Sequence, residues 1–156
     1  MSVLSEKTLK KIEEVQKKYP TKRSAVLPSL HLAQEEHGHL TKESMAQIAK
    51  ILSVPPVQVY ESATFYTMYN KKPVGRHHIQ VCTNLSCSLL GAEHVVEYIS
   101  QKIGIPSGRT STDHKFTLSK VECLGSCGTA PMMQIGDEYY EDLTEEKIDN
   151  IIDGLD

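Results

Sequence analysis

The residues of this chain best suited to chemistry are its four cysteines. Four residues separate Cys82 from Cys87, three separate Cys123 from Cys127, and thirty-five lie between the pairs. Thiolates so spaced are ligands for soft metals. Two close pairs suit a centre of two irons with one pair on each iron, and Cys thiolates are the usual ligands of iron–sulfur clusters. Both spacings also lie within the limits of a structural zinc site, so spacing alone leaves iron and zinc open. Two other readings fit less well. Thiol–disulfide enzymes favour Cys-x-x-Cys, a pattern the sequence lacks. Four unremarkable buried thiols would have no reason to fall into two pairs.

The residues around the cysteines suit a charged centre. Leu124-Gly125-Ser126-Cys127-Gly128 is small and pliant, and glycine lets a backbone curl so that its N–H groups face sulfur. Thr83, Ser86 and Ser126 are candidate hydroxyl donors. A four-thiolate 2Fe–2S cluster carries a formal charge of about −2 when oxidised and one unit more when reduced. Such charge needs donors, because an unpaired buried charge is costly.

Hydrophobic periodicity predicts the elements that must hold these residues. Leu9, Ile12 and Val15 mark a first helix. A second runs from Ser24 to Gly38, with Pro28 tolerable in its first turn. Thr41 caps a third, whose apolar stripe is Met45, Ile48, Ala49 and Leu52. Pro55-Pro56 opens a fourth that runs into Ala63-Thr64-Phe65-Tyr66. The polar, turn-rich stretch from Asn70 to Gly75 predicts a boundary, with a helical bundle over 1–72 and a second domain over 73–156.

Beyond it the period changes. Ile79 and Val81 alternate as in a strand, Ala92, Val95, Val96, Ile99 and Ile103 form a helical stripe, and Phe116 and Leu118 alternate again. Gly136-Asp137 predicts a type II′ hairpin between 132–135 and 138–140. Thr144 caps a last helix, with Leu143 and Ile148 as a hydrophobic staple. This half reads as a small sheet with helices packed on it, so the fold class is α+β, and each cysteine pair is expected in a loop after a strand.

Several classes are excluded. The chain has 156 residues, 39% of them hydrophobic, and a net charge of −3 with its basic residues scattered. That is enough for a core without disulfide staples, and it argues against a nucleic-acid surface. No apolar run reaches the ~20 residues that span a bilayer, and Met1–Lys7 has no apolar leader region, so neither membrane insertion nor a secretory signal is expected. A reducing compartment follows, where cysteines serve as ligands rather than crosslinks. His31, His37, His39, His77 and His78 form no His-Glu-x-x-His pattern. His37 and His39 flank Gly38, where imidazoles stabilise helix-end carbonyls. Glu35-Glu36 reads as a solvated face. Phe65, Tyr66, Met68 and Tyr69 form an unusually apolar helix end, read as core with a partner surface as the alternative. No Gly-rich phosphate loop is present, so the chain is not expected to bind NADH or flavin itself.

The motifs resemble a known family, the small thioredoxin-like 2Fe–2S subunits of NADH:quinone oxidoreductase, respiratory complex I. The resemblance rests on Gln34-Glu35-Glu36-His37-Gly38-His39-Leu40, Ala63-Thr64-Phe65-Tyr66-Thr67-Met68-Tyr69, Pro73-Val74-Gly75, Val81-Cys82-Thr83-Asn84 through Cys87, and Val121-Glu122-Cys123-Leu124-Gly125-Ser126-Cys127-Gly128 with Ala130-Pro131. Ser126 stands where the family usually has Ala. The resemblance implies a thioredoxin-like 2Fe–2S ferredoxin domain behind the helical bundle, and one cluster on Cys82, Cys87, Cys123 and Cys127. It implies a larger flavoprotein partner that binds FMN, NADH and a 4Fe–4S cluster, further peripheral-arm subunits, and a place at the inner face of the membrane, cytoplasmic or matrix-side. It also implies electron transfer as part of that enzyme, with no catalysis by the isolated chain. Equivalent subunits serve NAD-linked hydrogenases and formate dehydrogenases, and these hosts stay open here.

Overall fold

The computed structural model describes residues 3–156; Met1 and Ser2, the start of the stretch read as lacking a leader, lie outside the described residues. The chain divides into two compact units, with the division between Pro73 and Val74. No described helix is long and apolar enough to cross a membrane.

The first unit is helical, comprising α1 (Glu6–Gln16), α2 (Val26–His37), α3 (Lys42–Leu52) and α4 (Pro56–Phe65). Each predicted helix forms, and the start signals act as expected. Ser5 caps α1. At α3, the Thr41 and Ser44 side chains cap each other's backbone N–H groups. The core gathers Ile12, Leu30, Ala33, Ile48, Leu52, Val59 and Ala63. Tyr69 belongs to this core, as expected of its apolar segment. It is 1% accessible, and its hydroxyl donates to the Leu27 carbonyl at 2.8 Å. Burial pushes its pKa up to about 12. Phe65, Tyr66 and Met68 stay exposed.

Glu36 is not simply a solvated charge. Its carboxylate accepts from the Ser5 N–H at 2.9 Å and the Ser5 hydroxyl at 3.1 Å, and so fastens the start of α1 to α2. His37 reaches the Val3 carbonyl at 3.1 Å, while His39 contacts the His37 carbonyl at the end of α2 as expected. Gln34 holds the returning chain, accepting from the Asn70 N–H at 2.7 Å and donating to the Met68 carbonyl at 2.9 Å.

The second unit is a five-stranded sheet with helices. Its elements are β1 (His77–Cys82), α5 (Leu85–Leu89), α6 (Ala92–Ile103), β2 (Arg109–Thr110), β3 (Phe116–Val121), β4 (Met133–Ile135), β5 (Glu138–Tyr140) and α7 (Glu145–Asp153). The strand order is β2-β3-β1-β4-β5. β1 and β3 are parallel, with Cys82 opposite Val121; every other pairing is antiparallel. α6 crosses between the parallel strands, as parallel pairing requires. Two elements escaped the periodicity, the two-residue β2 and the five-residue α5, both too short to show a repeat.

Ile79, Val81 and Leu118 from the sheet meet Val95, Val96 and Ile99 of α6 and Ile148 and Ile152 of α7. Thr144 caps α7 and the Leu143–Ile148 staple is buried. Lys102 bridges Asp149 at 2.9 Å and Asp153 at 2.8 Å, joining α6 to α7. At the hairpin, Gly136 has a positive φ and Asp137 does not, as a type II′ turn demands. Gly75 shows why Pro73-Val74-Gly75 ends in glycine: a Cβ there would lie 2.7 Å from the Phe116 carbonyl carbon.

Candidate metal centre

Both thiol pairs hang from the C-terminal ends of the parallel neighbours β1 and β3. Cys82 is the last residue of β1, and its N–H donates to the Met132 carbonyl at 3.2 Å. Cys87 is not in a loop as expected but on α5. Asn84 starts that helix, its Oδ1 accepting the Leu85 N–H at 2.8 Å. Helical winding turns Cys87 inward, and Cys82 and Cys87 are each 2% accessible, packed with Ala92 and Met132. The second pair follows the sequence expectation more closely. Cys123 lies in the loop after β3 and Cys127 opens a single 3-10 turn, Cys127–Thr129. Both are exposed, with sulfurs 3.7 Å apart.

The donors differ in part from those expected. The Gly125 N–H points at Cys123 Sγ at 3.4 Å, with Gly125 at φ +88°. The Asn84 and Leu124 N–H groups address Cys82, and the Ser86 hydroxyl addresses Cys127. Thr83 and Ser126 do not serve sulfur. The Thr83 hydroxyl donates to the Val121 carbonyl at 3.4 Å, and that of Ser126 donates to Glu141. The nearest backbone carbonyls and carboxylates are stronger acceptors than a thiol.

These surroundings divide the buried pair. Burial pushes the Cys82 thiol up, but the Asn84 and Leu124 N–H groups and the Cys87 thiol outweigh it, leaving Cys82 below its ordinary value. Burial, then the bond to Cys82, pushes Cys87 up to about 11. Cys127 is raised, first by its bond to Cys123. The charge of Cys127 adds to the upward push on Cys87, and that of Cys82 to the upward push on Cys127. Among the described residues no three His, Cys, Asp or Glu side chains gather around a single ion. The sulfurs come as two pairs, and the histidines stand apart: His77 contacts the Asp156 carbonyl at 2.7 Å and His78 the Ser119 hydroxyl at 2.9 Å.

Sequence reading missed the residues that brace the loops. Asn84 Nδ2 donates to Glu122 at 2.7 Å. Glu141 accepts from Thr129 at 2.7 Å as well as from Ser126. The Tyr139 hydroxyl donates to the Leu124 carbonyl at 2.8 Å. Only Asn84 carried a local signal, an Asn cap two residues after a cysteine.

Comparison with known proteins settles the family. The thioredoxin-like [2Fe-2S] ferredoxin model matches residues 12–156. This chain belongs to the thioredoxin-like [2Fe-2S] ferredoxin family. Membership decides between iron and zinc: the cofactor is a 2Fe–2S cluster, and a donor set of four paired thiols fits it. A subunit of NADH-quinone oxidoreductase from Rickettsia conorii is 49% identical over 152 residues, covering 96% of this chain and 91% of that one. A subunit of the same enzyme from Rhizobium meliloti is 45% identical over 144 residues, covering 92% and 86%. These family relatives are named as parts of an oxidoreductase complex. A chain of an NAD+-reducing [NiFe]-hydrogenase shares the fold, with a TM-score of 0.71 at 22% identity over 83% of this chain and 22% of that one.

Proposed function

We propose that Cys82, Cys87, Cys123 and Cys127 hold the 2Fe–2S cluster. The chain then serves as an electron-transfer subunit of NADH-quinone oxidoreductase, exchanging single electrons with the FMN of a larger NADH-oxidising subunit. The observation that carries this reading is the position of the two thiol pairs at and just beyond the C-terminal ends of the neighbouring parallel strands β1 and β3. The relatives at 45–49% identity support the quinone reductase as host over a hydrogenase or formate dehydrogenase.

When bound, a 2Fe–2S cluster takes up and returns one electron at a time. The chain's own residues govern how. Cys82 and Cys87 keep one side of the site dry beneath Met132, while Cys123 and Cys127 stand at the surface, where a partner can approach. The N–H groups of Asn84, Leu124 and Gly125 and the Ser86 hydroxyl offset thiolate charge. All four ligands are thiolates, with no His to raise the potential, so a low value near that of plant-type clusters, roughly −400 mV, is expected. NADH yields a hydride, two electrons at once, which a flavin can accept and divide. The flavin therefore belongs to the partner, together with NADH and a 4Fe–4S cluster.

The purified chain should contain about two irons and two sulfides, as one such cluster requires. Replacing any of the four cysteines with Ala should bleach it, while His37→Ala or His78→Ala should not. Mixed anaerobically with NADH, the chain should keep its colour until the flavoprotein is added. Bleaching by NADH alone would reveal a missed nucleotide site. Zinc without iron, or no bleaching even with dithionite, would overturn the redox reading.

A further inference from the structure

Between the two ligand segments lies one side chain that touches both. Asn84 follows Cys82 by two residues and caps α5, the helix that carries Cys87. Its amide nitrogen donates at 2.7 Å to Glu122 Oε2, on the residue immediately before Cys123. Positions 84 and 122 lie far apart in the chain, yet the parallel register of β1 and β3 sets their segments side by side. The Thr83 N–H adds a backbone bond to the Val121 carbonyl at 3.0 Å just beneath.

We infer that the Asn84–Glu122 bridge is a positioning device that fixes the spacing of the two thiol pairs, and that the Glu122 charge beside it holds the cluster potential down. The inference rests on the ligand set proposed above. Both side chains are solvent-exposed, where a hydrogen bond contributes little to folding. Its value lies instead in orientation: groups that hold metal ligands in place govern how tightly the metal stays. The carboxylate does a second job. Glu122 directly precedes Cys123 and meets Asn84, the cap of the helix that carries Cys87, so its charge lies beside both ligand segments, and net charge near a cluster is one of the factors that set its potential.

The test uses the cluster-loaded full chain. Asn84→Ser keeps a cap for α5 but is too short to reach Glu122, and Glu122→Ala removes the acceptor without touching the cap. Each should release iron to an iron chelator about tenfold faster than wild type, and the double variant no faster than either single one, because both remove the same bond. Glu122→Gln keeps an oxygen for Asn84 and removes the charge; it should release iron at the wild-type rate and titrate at a more positive potential. Wild-type release rates in N84S and E122A, additive effects in the double variant, or an unmoved potential in E122Q would overturn the inference. If N84S does not fold, E122A and E122Q decide it alone. Failure of the ligand set is separately visible, as wild-type chain without iron or a Cys82→Ala chain with an unchanged spectrum.

Discussion

The hydroxyl of Ser126 donates to the carboxylate of Glu141, fifteen residues further on, and not to the sulfur of its neighbour Cys127. Thr129 donates to the same carboxylate at 2.7 Å. The turn that carries Cys127 is therefore held to the strand end beyond β5 by two hydroxyls on one acceptor. Ser126→Ala should leave the cluster potential unmoved and iron retention nearly unchanged, since Thr129 still holds Glu141. A redox titration followed by EPR checks it; a shift to more negative potential would mean that Ser126 serves a sulfur after all.

Ser86 should behave oppositely. Its hydroxyl acts on Cys127 and favours the thiolate. Donors to cluster sulfur raise the potential by stabilising added negative charge. Ser86→Ala should move the potential to a more negative value in the same titration.

Gly75→Ala tests the entry to the sheet. The new methyl would meet the Phe116 backbone at 2.7 Å, and backbone cannot yield as a side-chain tip can. It would also disturb the Gly75 N–H bond to Thr117 Oγ1, 2.7 Å long. Overpacking of this kind costs about 1–3 kcal/mol, read as a lower midpoint in urea unfolding.

Glu36 makes the helical unit sensitive to acid. The Thr8 hydroxyl foremost, then the Ser5 N–H and hydroxyl and the His37 charge, hold its pKa below the ordinary 4.5 despite some burial. A depressed folded-state pKa contributes stability above the unfolded value that is lost as pH falls through the folded one. The stability gap between wild type and Glu36→Gln should thus be full at neutral pH and close as the pH drops below about 4. A gap that is constant with pH in denaturation series would contradict this.

A fragment of residues 73–156 should still bind the cluster, because all four cysteines and every strand lie within it. Iron and sulfide analysis of the purified fragment measures this directly. If Phe65, Tyr66 and Met68, exposed on the other unit, dock the partner, the fragment should bind the flavoprotein more weakly than the full chain does.

Much of the fold was legible because its signals are local. The α3 stripe and its Thr41 cap, the α6 stripe and the Gly136 turn each lie within a dozen residues, where period and cap chemistry act. α5 was not legible, because five residues show no helical period and its cap was recognisable only as an isolated Asn. Glu36 looked like surface because its partner, Ser5, stands 31 residues away, and the exposure of Phe65, Tyr66 and Met68 beside the buried Tyr69 follows from packing that no local period records.

The order of the residues was enough to determine the paired thiols, their fitness as ligands for a soft metal, and a fold of helices followed by a mixed sheet, since these depend on residue type, spacing and period. Only the tertiary structure decided that Cys82 and Cys87 are buried while Cys123 and Cys127 face outward, that Ser86 rather than Ser126 reaches a sulfur, and that Asn84 meets Glu122. Those outcomes depend on the parallel register of β1 and β3. That register brings residues 38 positions apart within hydrogen-bonding distance, and no local pattern in the chain specifies which hydroxyl or amide will then find the nearest acceptor.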